Sequence, residues 1–138
     1  MNDRWTIAKV ATPSSGDGIF RFIQFKPESW DSLPLSEEVS ISWHYDGIQP
    51  DSTTSKRMDT LEDALSNLSF GPDSYLALVM TVDGLREWCF YTRDYNEFMQ
   101  TLNAGLASHG RFPIEIQHSH DPMWRYWHSF IDRLSQTK

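Results

Sequence analysis

The stretch YLALVMTV-DG-LREWCFYT, residues 75–92, constrains the fold more than any other part of this chain. Asp-Gly between two alternating apolar runs is a two-residue hairpin signal, because both turn residues tolerate the positive φ that such a turn needs. The turn fixes the register: Val82 faces Leu85, Met80 faces Glu87 and Leu78 faces Cys89. Opposed residues share a face. One face therefore carries Leu76, Leu78, Met80, Val82, Leu85, Cys89 and Tyr91, with Glu87 as its odd member. The other carries Tyr75, Ala77, Val79, Thr81, Arg86, Trp88 and Phe90. Both are apolar enough to need cover. The aliphatic face is expected beneath helices. The aromatic face around Arg86, Trp88 and Phe90 is expected to meet added elements or a partner. Cys89 reads as a small buried hydrophobe.

The flanking segments extend this pattern. EEVSISWHY alternates, with Val39, Ile41, Trp43 and Tyr45 on one side and Ser40, Ser42 and His44 on the other. Residues 46–57 read as a polar loop. A helix follows, with Asp59 as cap and Glu62 closing a capping box; Leu61, Leu65 and Leu68 form its buried stripe, and Gly71-Pro72 ends it. After the hairpin, Asp94 and Glu97 repeat the same start signal before Tyr95, Phe98, Met99, Leu102 and Leu106, with Gly110 as the expected C-terminal cap. FPIEIQHS is a further strand, with Ile114, Ile116 and His118 on one face. Strand, helix, strand, strand, helix, strand over Glu38–Ser119 is the order of a split βαβ, ferredoxin-like antiparallel sheet with helices on one face. WTIAKV and Ile19–Phe25 predict an N-terminal hairpin around Gly16–Gly18, with Ile19, Ile23 and Phe25 on one side and Phe20 and Phe22 on the other. The fold class is α+β, and 138 residues suit one domain spanning 1–138.

HSHDPMWRYWHSF, residues 118–130, starts a last helix. Asp121 can accept orphan backbone N–H groups, and Pro122 suits the first helical position. Met123, Trp127, Phe130 and Leu134 then run down one side, widened by Trp124 and Ile131. Trp124 is expected in the core, its indole N–H bonded to a backbone carbonyl or polar side chain. His118 and His120, two apart on a strand, point the same way and invite a metal reading. No HExxH, CxxC, GxSxG, phosphate loop or dinucleotide fingerprint accompanies them. No catalytic residue, metal ligand or cofactor is assigned.

The net charge is −7 and no Lys/Arg cluster is present, so no nucleic-acid partner is expected. Cys89 is the single cysteine, which suits a reducing compartment. The first twenty residues lack a signal-peptide core, and no apolar run could cross a membrane, so a cytoplasmic location is expected.

The runs WHYDGIQP, MDTLEDAL, DGLREWCFYTRD and IEIQHSHDPMWRYW, in that order, resemble the bacterial domain of unknown function 695 family. The likeness spans Phe20 to Phe130. Gly47-Ile48-Gln49-Pro50 stands where that family carries a compact Gly-Leu-Pro. The family has no established catalytic residues, so none are carried over. Asp121, Trp124 and Trp127 are also similar to an Asp-x-x-Trp-x-x-Tyr stretch in the family that regulates ribonuclease E by binding it, with Tyr126 one residue early. This second resemblance favours an α/β binding module over an enzyme. The leading reading is a protein-binding or regulatory module, acting on a partner or on itself through the aromatic sheet face. The alternative is a hydrolase or metal-dependent enzyme using His118, His120 and Asp121.

Overall fold

A computed structural model describes residues 5–11, 17–23, 35–69 and 73–136. Its elements run β1 (Trp5–Ala11), β2 (Asp17–Ile23), β3 (Glu37–His44), α1 (Ser52–Ala64), α2 (Ser66–Ser69), β4 (Ser74–Val82), β5 (Leu85–Thr92), α3 (Tyr95–Leu106), β6 (Ile114–His120) and α4 (Arg125–Gln136). The described strands form one sheet in the order β1-β2-β4-β5-β3-β6. All its pairings are antiparallel. From β4 to β6 this is the ferredoxin-like strand order, with the β1–β2 hairpin added beside β4.

The hairpin register is as the turn dictates: Val82 opposes Leu85, Met80 opposes Glu87 and Leu78 opposes Cys89. Asp83 and Gly84 both have positive φ, 44° and 87°. A register shift between Leu76 and Leu78 then breaks the alternation. It leaves Leu76 and Val79 in one core, and Ala77 and Leu78 in the other.

That shift, together with the β3–β5 pairing, decides which face the helices cover. Val39 opposes Phe90 and Ile41 opposes Trp88, so the apolar side of β3 is continuous with the aromatic side of the hairpin. Met58 and Leu61 of α1, with Leu65 and Leu68 beyond it, pack there with Phe98 and Leu102 of α3. The expectation that α1 and α3 would cover the aliphatic face is thus corrected. Helix α4 takes the opposite face, where Trp124, Trp127 and Phe130 meet Phe22, Leu78, Cys89 and Tyr91.

Helix α1 begins earlier than expected. Its cap is Asp51, whose carboxylate accepts from the Thr54 N–H at 2.7 Å, so residues 52–57 are helical and the loop ends before them. Asp59 and Glu62 therefore lie inside the helix and form no capping box. Asp94 does cap α3, accepting from the Glu97 N–H at 3.0 Å. That helix ends at Leu106 with Ala107 as its cap, ahead of Gly110. Gly105 has no room for a side chain, since a Cβ there would sit 2.7 Å from the Ala64 carbonyl oxygen. Here α3 approaches the end of α1 closely. Gly16, Phe25, Gly71, Pro72 and the Leu134 side chain lie outside the described residues.

Candidate functional site

The sheet ends in β6, which pairs with β3 alone among the described residues. Its seven residues, Ile114–His120, run in unbroken register against Trp43–Glu37. Pleating puts Ile114, Ile116, His118 and His120 on the α3 side, and Glu115, Gln117 and Ser119 on the other. Ile114 and Ile116 are half-buried; the other five residues are exposed.

His120 stands directly opposite Glu37, and His118 is its diagonal neighbour. Glu37 uses one carboxylate oxygen for each imidazole: Oε1 meets His118 Nε2 at 2.7 Å, and Oε2 meets His120 Nδ1. Ser36 also donates to Oε2. Tyr95, the first residue of α3, stacks on the His118 ring at 4.0 Å and 2°. Burial pushes the Glu37 carboxyl up. The bonds from His118, His120 and Ser36 and the charge of His120 outweigh it and hold the carboxyl below its ordinary value. The cluster clamps the last pair of the β3–β6 ladder. Among the described residues, no group of three or more His, Cys, Asp or Glu is arranged to hold a metal ion.

Asp121 does not join the histidines. Its carboxylate accepts from the N–H groups of Arg125 and Tyr126 and from the Tyr91 hydroxyl, the last at 2.7 Å. It anchors the start of α4 as expected, but from further back. The Trp124 N–H bonds the Asp121 carbonyl in a turn, and the helix opens at Arg125. Pro122 lies in that turn rather than at the first helical position, and Met123 is turned out, 62% exposed. Trp124 is fully buried, stacked 4.1 Å from the Tyr91 ring, and its indole donates to the Leu35 carbonyl at 2.9 Å. The Trp127 indole donates to the Ile23 carbonyl at 2.9 Å, tying α4 to β2.

Beneath α4, Glu38 is a buried carboxylate held by neutral donors. It accepts from Ser40, from the Cys89 thiol at 3.3 Å and from Ser119 at 3.1 Å. Burial, then the charge of Glu38, pushes the Cys89 thiol well up, which keeps it protonated and inert. Glu87 lies nearby; burial pushes its carboxyl up, and the charge of Glu38 adds to that.

The residues expected to form an aromatic contact face lie elsewhere. Trp88 and Phe90 are 2% and 1% exposed, inside the core under α1 and α3. The Trp88 indole donates to Glu62 at 2.9 Å. Glu62 also takes two bonds from Arg21, the longer at 2.7 Å. Burial raises the Glu62 carboxyl, but the bonds and charge of Arg21, with Trp88, hold it below its ordinary value. Half-buried Arg86 donates from Nε to the Thr81 hydroxyl at 2.8 Å. Sequence reasoning missed Glu37 as the partner of both histidines and Glu62 as the acceptor for Arg21 and Trp88. The first could have been found from the β3–β6 register; nothing local signals the second.

The model of a family of unknown function, DUF695, matches residues 24–131. This chain belongs to that family. The match takes in β3 to β6, α1 to α3 and the start of α4, so the β6 edge and the Glu37 clamp fall within the DUF695 region. No curated protein matches the chain. No described helix is long and apolar enough to cross a membrane.

Proposed function

We propose that this DUF695 chain works by binding protein, through a strand added at its β6 edge, and carries out no chemistry of its own. The carrying observation is the edge itself. β6 is seven residues long, keeps unbroken register, and contains no lysine, proline or bulge. Sheet edges that stay solitary are usually blunted by such devices, because unpaired N–H and C=O groups template another strand. An edge that the described residues leave unpaired, with Glu115 as its one acidic residue, suits recognition by strand addition, in which main-chain bonds supply affinity and alternate side chains supply selectivity. The polar clusters support the same reading. The Glu37 carboxylate is taken up by two imidazoles, Asp121 by helix and tyrosine donors, and Glu38 by hydroxyl and thiol. Each has a structural task, and the hydroxyls and the thiol beside them donate to a carboxylate; among the described residues none of these is hydrogen-bonded to an imidazole that could take its proton.

A photoreactive amino acid at position 117, introduced in the native cell, tests the reading. Gln117 is exposed on β6, and exposed Asp63 on α1 serves as control. The expected result is one defined protein adduct from position 117 and none from position 63. Equal labelling from both sites, or none from either, would refute strand addition at β6.

A further inference from the structure

We infer that the strand added at β6 is β6 of a second copy of this chain, antiparallel and centred on Gln117. The inference rests on the strand-addition reading and names its partner. A two-fold axis that pairs a strand antiparallel with its own copy stands perpendicular to the sheet. It carries each sheet face onto the same face, so residues can oppose only if they share a side of the strand. Among registers of this kind, the one centred on Gln117 pairs all seven residues of Ile114–His120. It sets Ile114 against His120, Glu115 against Ser119, Ile116 against His118 and Gln117 against itself. Sliding the copy by two residues leaves the end of each strand unpaired, and sliding it by four in one direction opposes Glu115 to Glu115, a like-charge pair that destabilises.

The centred register also avoids like-charge pairs. Each Glu115 carboxylate stands opposite a neutral serine, whose hydroxyl proton already goes to Glu38, and the two central amides can bond each other. On the other face, half-buried Ile114 and Ile116 gain cover from the partner's imidazole rings, which Glu37 and Tyr95 already hold in place. The product is a continuous sheet across both copies, with α1 and α3 of each on one side.

Cysteine pairing tests both the partner and the register in the full chain. Directly opposed side chains have Cβ atoms about 4.5–5.5 Å apart, close enough for a disulfide to form with a small adjustment. Glu115 and its own copy would lie roughly 13 Å apart along the strands. Gln117→Cys alone should therefore oxidise to a disulfide dimer. Glu115→Cys alone and Ser119→Cys alone should stay monomeric, and a mixture of those two should give the mixed dimer. Native Cys89 is buried and takes no part. Ser119→Cys removes a hydroxyl that bonds Glu38, so Gln117→Cys carries the test if that variant folds poorly. Oxidised Gln117→Cys that remains monomeric overturns the inference, as does Glu115→Cys that cross-links with itself equally well. If Gln117→Cys stays monomeric while the photoreactive residue at 117 captures a different protein, self-pairing is wrong and strand addition stands. If position 117 captures nothing, both fall.

Discussion

Trp124 concentrates several constraints in one residue. Its φ of 55° lies in the left-handed region, which costs a side chain with a Cβ about 1–2 kcal/mol. It tolerates that conformation because the ring is fully buried against Tyr91, at right angles to Trp127, with its N–H satisfied by Leu35. Trp124→Ala should cost about 3–5 kcal/mol in denaturant unfolding, the usual range for a large aromatic in a core. A change under about 0.5 kcal/mol would place it with surface residues. The buried indole was legible in the sequence, because tryptophans there had to lie on a surface and find an acceptor; that the acceptor is the Leu35 carbonyl and not a polar side chain was not. The positive φ was not legible, since it arises from the turn that the Asp121 carboxylate and carbonyl jointly hold. The carboxylates make a second residue-scale test, with opposite signs. Glu37 is held below its ordinary value, so its contribution is present above the ordinary carboxylate range and is lost as pH falls through its folded value. Glu37→Gln should therefore destabilise at pH 7 and much less at pH 3. Glu87 is pushed up by burial, so its charged form costs the folded state at neutral pH. Glu87→Gln should raise stability at pH 7, with the gain shrinking as pH falls below the carboxylate range. Unfolding curves at the two pH values read both effects, and the same sign for both variants at pH 7 would contradict the assignments.

The elements divide by how local their signals are. The β4–β5 hairpin was legible from the turn as far as Leu78 opposite Cys89, because Asp83-Gly84 fixes the turn and the turn fixes the pairing; the shift at Leu76–Leu78, which moves Leu76 to the other face, was not. Helix α3 was legible at its start, where Asp94 caps it, and not at its end, where Ala107 rather than Gly110 takes the cap. The start of α1 was misread because residues 52–57 are polar, and polar composition alone does not separate a solvated helical turn from a loop. Asp51 decides it by capping the Thr54 N–H. Asp51→Ala should lower the unfolding midpoint, as cap removal usually does. Exposed Asp59→Ala should stay within about 0.5 kcal/mol. The reverse order, measured by thermal or denaturant unfolding, would restore the later helix start.

At the scale of the whole molecule, strand order followed from element order, and the ferredoxin-like core was legible for that reason. The covered faces were not. They depend on the shift at Leu76–Leu78 and on which side of β3 joins the hairpin, and both are settled by pairing between distant segments. With Trp88 and Phe90 inside the core, the contact surface we propose is the edge of the sheet instead of its face. The ledge formed by β6 is held by its full ladder to β3 and clamped at one end by Glu37 between His118 and His120. Residue-resolved hydrogen exchange over Ile114–His120, at low and high protein concentration, tests this most directly. The amides that point toward β3 should be protected at both. Those that point away should exchange quickly in dilute protein and become protected, in alternation along the strand, as concentration rises. Outward amides that exchange at the same fast rate at every concentration would contradict the pairing of β6 with its copy.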